Sequence, residues 1–260
     1  MENNIKGVDL SYCQKGIDYA KLADAGVKFA IIRAGYSGMK DKLLDAHVRG
    51  CEAVGIDIGF YWYSYARTRE EALQEASACL DAIKDHAKPK YPVFFDGEES
   101  ALAEEIGRAK MTEITKTFIE EIQKNGYPSG VYANPAWIEN NLEKDRILGK
   151  YDIWLAHWTN SPNKASKFQY GQLMWQWGTE KFGGFTVDAD ICFIDYPEKT
   201  AEFYKNHNSF SDPEIKDLDD IALEVIRGKW SNGAARKQKL EAAGYDYAAV
   251  QRRVNEILVN

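Results

Sequence analysis

"DIWLAHW" (152–158), "QLMWQWG" (172–178) and "VDADICF" (187–193) are three apolar runs that read as strands, with no long helical period between them. Upstream the pattern differs. "GVDLS" (7–11), "KFAIIRAG" (28–35), "DIGFYWYSYA" (57–66), "PVFFDGE" (92–98) and "SGVYAN" (129–134) are further strand candidates. Helix-period segments separate them, over 16–26, 41–55, 69–86 and 103–126, and "PAWIENNL" (135–142) is a short helix. Asp18 is a candidate N-cap and Gly26 a helix stop. Strand–helix alternation with right-handed crossovers argues a parallel sheet. Eight strands suggest that the sheet closes. An open doubly wound sheet is the alternative, but "GVDLSYCQKG" (7–16) lacks the GxGxxG turn such a sheet normally carries. The expectation is an α/β fold, an irregular TIM-like barrel of about five βα units followed by three strands.

Composition shifts near residue 207. "HNSFSDPE" (207–214) reads as a linker, with Asp212-Pro213 a helix start. Three short helices follow, "EIKDLDDIALEVIRG", "GAARKQKLEAAG" and "YAAVQRRVNEIL", with Gly228 and Gly244 as stops and Asp246 as a cap. The predicted organisation is a barrel domain over 1–206, a linker over 207–213 and a small three-helix bundle over 214–260.

Bulk composition narrows the classes. At 45% hydrophobic and 28% charged residues the chain reads as globular and soluble. No apolar stretch approaches the roughly 20 residues that span a bilayer, so membrane insertion is not expected. "MENNIKGVDL" has no basic region followed by an apolar one, so no signal peptide is expected. A net charge of -7 without a basic stripe on the large domain argues against a nucleic-acid partner. Cys13, Cys51, Cys79 and Cys192 lie far apart and read as reduced thiols. No cofactor is implied. A metal is not expected either, because no DxDxDG-like loop is present.

The apolar strand "PVFFDGE" runs straight into carboxylates. Alternation puts Asp96 and Glu98 on one face and turns Glu99 away. The C-terminal end of a barrel strand is where chemistry sits. Asp9 ends the first strand, and Asp188 lies at the start of the last. Four carboxyls from three strand ends could then meet in one pocket. Crowded like charges raise at least one pKa and make a proton donor near neutral pH. That is the arrangement glycoside hydrolysis needs. Asp9 alone would read as a cap or a solvated turn residue.

Taken together, these segments resemble the glycoside hydrolase family 25 lysozymes, the Chalaropsis-type N-acetylmuramidases of phages and bacteria. The resemblance runs from about residue 5 to about residue 197 and rests on the order and spacing of "GVDLS", "GFYWYSYA", "FFDGE", "GVYAN", "DIWLAHW", "LMWQWG" and "VDADICF". It implies an active site of Asp9, Asp96, Glu98 and Asp188. Glu98 matches the general acid. Asp96 matches a residue that acts either as nucleophile or as the group orienting the substrate's 2-acetamido oxygen. Asp9 and Asp188 match supporting carboxylates. Tyr61, Tyr132, Trp154 and Gln176 match positions lining the sugar cleft, although barrel packing is an equal reading of Trp154 and Tyr132. The chain departs from the family at Gly97, where bulkier residues are common. It departs again at Trp177, which replaces a tyrosine, and at Asp190, which adds a carboxyl where Asn is common.

Residues 220–258 resemble a single Cpl-7-type cell-wall-binding repeat, through "GKWSNG", "AAGYDY" and "VQRRVN". Lys229, Arg236, Lys237 and Lys239 form a basic patch that could meet peptide carboxylates of the wall, and Arg236 and Gln251 are the candidate ligand contacts. A solvated helix face is the favoured reading of Lys237 and Lys239. Trp230, Leu240, Tyr245 and Val254 are core candidates. The two resemblances imply a phage-type endolysin that cuts the β-1,4 bond between N-acetylmuramic acid and N-acetylglucosamine. Its partner would be peptidoglycan of a Gram-positive host wall, and the small module could gain avidity by self-association. The enzyme would stay in the host cytoplasm until lysis. A chitinase-like barrel is disfavoured by Pro92 and Phe94, which stand where its extra acids would be. A non-catalytic wall-binding barrel is disfavoured by the intact four acids.

Overall fold

A computed structural model of the chain describes residues 4–98, 105–182, 184–208, 218–226, 228–242 and 245–259. The elements run β1 (Ile5–Leu10), α1 (Tyr19–Asp24), β2 (Phe29–Tyr36), β3 (Met39–Lys40), α2 (Leu44–Ala53), β4 (Asp57–Tyr63), α3 (Arg69–Ile83) and β5 (Val93–Asp96). They continue with α4 (Arg108–Lys124), β6 (Ser129–Ala133), α5 (Pro135–Asn141), α6 (Lys144–Ile147), β7 (Asp152–Ala156), β8 (Met174–Phe182), β9 (Phe185–Cys192) and α7 (Tyr196–Asn208). Three more helices close the chain: α8 (Leu218–Ile226), α9 (Gly233–Ala242) and α10 (Tyr247–Val259). The contacts divide it into two compact units, Met1–Asn206 and His207–Asn260.

Eight strands close a barrel in the order β1-β9-β8-β7-β6-β5-β4-β2, with β2 pairing back to β1. β3 is a short antiparallel addition to β2. All neighbours are parallel except the two pairings of β9, which runs antiparallel to both β8 and β1. This accounts for the lack of a helix between β8 and β9; β7 and β8 pair in parallel, and their crossover over 157–173 carries no helix. A parallel return needs a crossover, whereas β8 and β9 are joined by a tight hairpin.

The helices start where side chains satisfy free backbone amides. Asp18 accepts from Lys21 N, Thr68 from Glu71 N, and Asn134 from Trp137 N just ahead of Pro135. The segment read as one helix over 103–126 is interrupted. Gly107 adopts φ +82°, and the long helix starts only at Arg108. Helix α7 was absent from the sequence reading, because its apolar residues are few and polar ones dominate it.

Strand alternation builds two cores. Outward residues such as Val8, Ile32, Phe60, Phe95 and Val131 pack on Val48, Ala76, Ile114 and Phe118 of the helices. Inward Phe29, Ile31, Phe94, Trp154 and Met174 fill the barrel with Tyr91 and Tyr196. The outer face of β8 and β9 carries its own cluster, Trp175, Trp177, Ala189 and Ile191. The C-terminal unit has a separate core of Ile221, Ala222, Val225, Leu240, Val250 and Val254, with Trp230 and Tyr245 packed against it. Gly228 ends its first helix region at φ +78°, and Asp246 Oδ1 accepts from Ala248 N at 2.8 Å to start α10. The Asp212-Pro213 start and the Gly244 stop lie outside the described residues.

Candidate active site

Asp96 is the last residue of β5 and points into the barrel with Phe94, while Phe95 points out to Phe118. Glu98 follows on the same face. Its backbone N–H donates to Asp96 Oδ1 at 3.3 Å, and its Oε1 accepts from the backbone N–H of Asn134, the cap of α5. Gly97 is the residue that lets the strand end this way. A Cβ there would lie 2.6 Å from the Phe95 ring.

Asp9 comes from β1, and Asp188 is its direct cross-strand partner on β9. The reversal of β9 brings this about. In a wholly parallel barrel the start of the last strand would lie at the opposite end from the carboxylates of β1 and β5. Running antiparallel, β9 delivers Asp188 to their end.

Gln176 organises the wall between these acids. Its Nε2 donates to Asp9 Oδ2 at 2.8 Å, and its Oε1 accepts from Tyr132 OH at 3.0 Å and from Trp158 Nε1 at 2.9 Å. Tyr132 and Tyr61 flank the Trp154 ring, at centroid distances of 4.5 and 6.1 Å. Trp154 itself is buried, its ring tilted at 60° against Phe94, and its Nε1 donates to Asp190 Oδ1 at 2.8 Å. It forms the floor beneath the acids. Trp177 faces outward at a bulge in β8 and presents no ring to the site. Asp190 is 0% exposed, and burial with the charge of Asp9 pushes its carboxyl well above the usual range. Burial therefore opposes the negative charge that this extra carboxyl was expected to add.

The remaining acids respond to the same environment. Burial, followed by the charge of Asp188, pushes Asp9 up to about 8. Burial and the charge of Glu98 hold Asp96 well above its ordinary value, against the opposing pull of the Glu98 amide and Arg33. Burial raises Glu98, and Asn134 partly offsets it. Burial also raises Asp188.

Three residues of the site escaped the sequence reading. Arg33 lies inside the barrel on β2, its guanidinium 2.7 Å from Asp41 and stacked over the rings of Tyr12 and Tyr36 at 4.6 and 4.9 Å. Asp41 is fixed in turn by the backbone N–H groups of Tyr12 and Leu43. An arginine within an otherwise apolar strand is the signal that could have exposed this pair. Trp158 is 52% exposed, and the Gln176 bond holds its ring at the edge of the acids. Alternation continued from Trp154 through Ala156 would have placed it on the site's face.

The model of the family described as "Glycosyl hydrolases family 25" matches residues 8–183. The chain belongs to glycosyl hydrolase family 25. A second model, the CW_7 repeat, matches residues 219–258. The lysozyme of Streptococcus phage Cp-7 is 31% identical over 208 residues, which cover 77% of this chain and 55% of that protein. The chain thus spans just over half the length of this curated family 25 relative. Among solved structures, the modular autolysin LytC of Streptococcus pneumoniae, crystallised with a synthetic peptidoglycan ligand, is 25% identical with a TM-score of 0.62, over 72% of this chain and 46% of that one. A bacterial lysozyme from Streptomyces coelicolor shares the fold, at a TM-score of 0.65 and 19% identity over 78% of this chain and 98% of that one.

In the C-terminal unit the two candidate contacts are joined to each other. Arg236 donates to Gln251 Oε1 at 3.3 Å, to Asn232 Oδ1 at 2.9 Å and to the Ser231 carbonyl at 3.1 Å. Lys229 pairs with Glu224 at 3.1 Å and Lys237 with Glu241 at 3.8 Å, and Lys239 donates to Ser231 Oγ. Two of the four cations, Lys229 and Lys237, thus face carboxylates, while Arg236 and Lys239 bond neutral oxygens.

Proposed function

We propose that this chain is an endolysin that hydrolyses the β-1,4 bond between N-acetylmuramic acid and N-acetylglucosamine, with a C-terminal module that holds it to the wall. The observation that carries this reading is the pairing of Asp96 and Glu98 on one face of a strand end, both raised, beside Asp9 and Asp188. Glycoside cleavage needs a carboxylic acid to protonate the leaving oxygen and a carboxylate to support the positive sugar carbon. Glu98, less buried than Asp96, is the proton donor. Asp96 is the carboxylate, as nucleophile or as the partner of the 2-acetamido group. The Glu98 amide and Arg33 both favour charge on Asp96. Burial favours the proton there, and the developing sugar cation tips the charge to Asp96.

Tyr61, Tyr132 and Gln176 line the substrate groove, and Trp158 offers an exposed aromatic face for the apolar side of a sugar ring. Arg236 and Gln251 contact wall muropeptide in the module. Its attachment is to the wall of a Gram-positive host, and self-association of the module raises its avidity. The phage origin of the Cp-7 relative supports a product held in the host cytoplasm until lysis, which fractionation before and after lysis checks.

The test is wall clearing by the wild type and Glu98→Gln, with mass spectrometry of the released muropeptides. The expected result is a loss of about 10²–10⁴-fold for the variant and reducing-end muramic acid from the wild type. Equal clearing by both proteins sinks the assignment of Glu98. Reducing-end glucosamine sinks the bond specificity.

A further inference from the structure

Asp190 takes no part in the chemistry above, yet it is the most deeply buried carboxyl of the barrel, at 0% exposure. Its two oxygens are treated differently. Oδ1 accepts from Trp154 Nε1 at 2.8 Å. Oδ2 has no donor among the described residues. A buried acceptor left without a donor costs about 1–3 kcal/mol, and a buried unpaired charge costs more.

The surroundings offer acceptors where a donor is needed. Asp190 lies opposite Gly7 on β1 and Gln176 on β8. Asp9, two residues along β1, comes within hydrogen-bonding reach. Asp188 adds a like charge on β9, and Gln176 gives one amide N–H to Asp9 while its second does not reach Asp190 Oδ2. Tyr132 and Cys192 also face this group, and burial keeps both in their neutral forms. Arg33, the cation inside the barrel on β2, is committed to Asp41. Two carboxyl groups thus face each other without a donor, and a proton between them resolves the conflict. Asp190 is the more buried of the two and has the orphan oxygen, so the proton belongs on its Oδ2.

We propose that Asp190 is a positioning residue that remains protonated and donates its proton to Asp9, so that the pair carries one negative charge once Asp9 ionises. This rests on the muramidase reading only for its consequence. Asp9 is then held from two sides, by the Asp190 hydroxyl and by the Gln176 amide. Gln176 is itself held by Tyr132 and Trp158, so one chain of hydrogen bonds runs from the barrel floor to its rim. Asp190 does not touch substrate. It fixes the direction of the Asp9 carboxylate, one of the supporting acids of the site.

Two variants of the full chain test this. Asp190→Asn keeps an acceptor for Trp154 and supplies a permanent N–H toward Asp9. Asp190→Leu keeps the volume and supplies no donor. Infrared spectra at neutral pH should show the protonated-carboxyl band of the wild type reduced in Asp190→Asn. Turnover of purified walls should stay within about 3-fold of wild type for Asn and fall about 100-fold for Leu, as for a misplaced reacting group, with circular dichroism reporting an intact fold. An unchanged protonated-carboxyl band overturns the shared proton. An Asn variant as impaired as Leu, or a Leu variant as active as wild type, overturns the donor role. A wild type that fails to cut walls overturns the proposed function instead, and the infrared comparison still decides where the proton lies.

Discussion

At the scale of single residues, the site stores strain in its carboxyls. Asp9 illustrates the sign. Its folded pKa of about 8 lies far above the roughly 3.9 of an unfolded Asp. Between those values the native state binds more protons than the unfolded one, so stability falls as pH rises from about 4 towards 8. Asp9→Asn removes the group that must either charge or hold its proton. The variant is expected to be more stable than wild type at pH 8, by about 1–2 kcal/mol, and indistinguishable near pH 4, while losing wall-clearing activity. Denaturant midpoints at the two pH values check this, and a constant difference across the range would contradict the linkage. Glu98 follows the same rule in activity. Its raised pKa extends the proton-donating form above the usual carboxylate range, and turnover is lost as pH rises through that value. Asp190 adds a chemical reason why a carboxyl is tolerated in the barrel's interior. Protonated, it presents one donor and one acceptor, as a side-chain amide does.

At the scale of elements, the barrel interior closes because small residues make room for large ones. Gly7 faces inward beside Asp9, and a Cβ there would come 2.1 Å from the Phe29 ring. That ring stacks on Tyr91 at 4.4 Å and cannot retreat without disturbing it. Gly7→Ala should therefore cost about 3 kcal/mol, at the upper end for overpacking. Its urea midpoint checks this, and a midpoint equal to wild type would mean that the floor can yield. The strands were legible because each is an apolar run with inward and outward residues alternating, as in Phe94 and Phe95. The direction of β9 was not legible. "VDADICF" carries no mark of its polarity in the sheet, and only the length of the preceding hairpin sets it. Gly107 was passed over for a related reason. Its neighbours keep a helical period, and nothing local reveals that its φ is positive. Among site residues, Asp96 and Glu98 were legible from adjacency to an apolar strand. Arg33 was not singled out, because a cation inside "KFAIIRAG" shows its partner Asp41 only once the chain has folded.

At the scale of the whole molecule, two units with separate cores imply separable duties. Residues Met1–Asn206 hold every acid of the site, and the barrel core is complete within them. The C-terminal core draws on α8, α9 and α10 alone. If the module only raises the local concentration of enzyme at the wall, its removal should not change the chemical step. A chain ending at residue 206 is expected to cleave soluble glycan fragments at the wild-type rate. On intact walls it should act more slowly, by roughly the effective-concentration gain a tethered binding site provides, on the order of 10²-fold or more for strong tethering. Sedimentation of both forms with purified walls, and their sizes in solution, complete the measurement. Loss of activity on soluble fragments would show that the module contributes to the active site or to the barrel's stability. Equal sedimentation of both forms would move wall affinity to the barrel. A full-length chain larger than a monomer, beside a monomeric truncation, would assign self-association to the module. A single repeat of this size then gains its hold on the wall by acting in more than one copy.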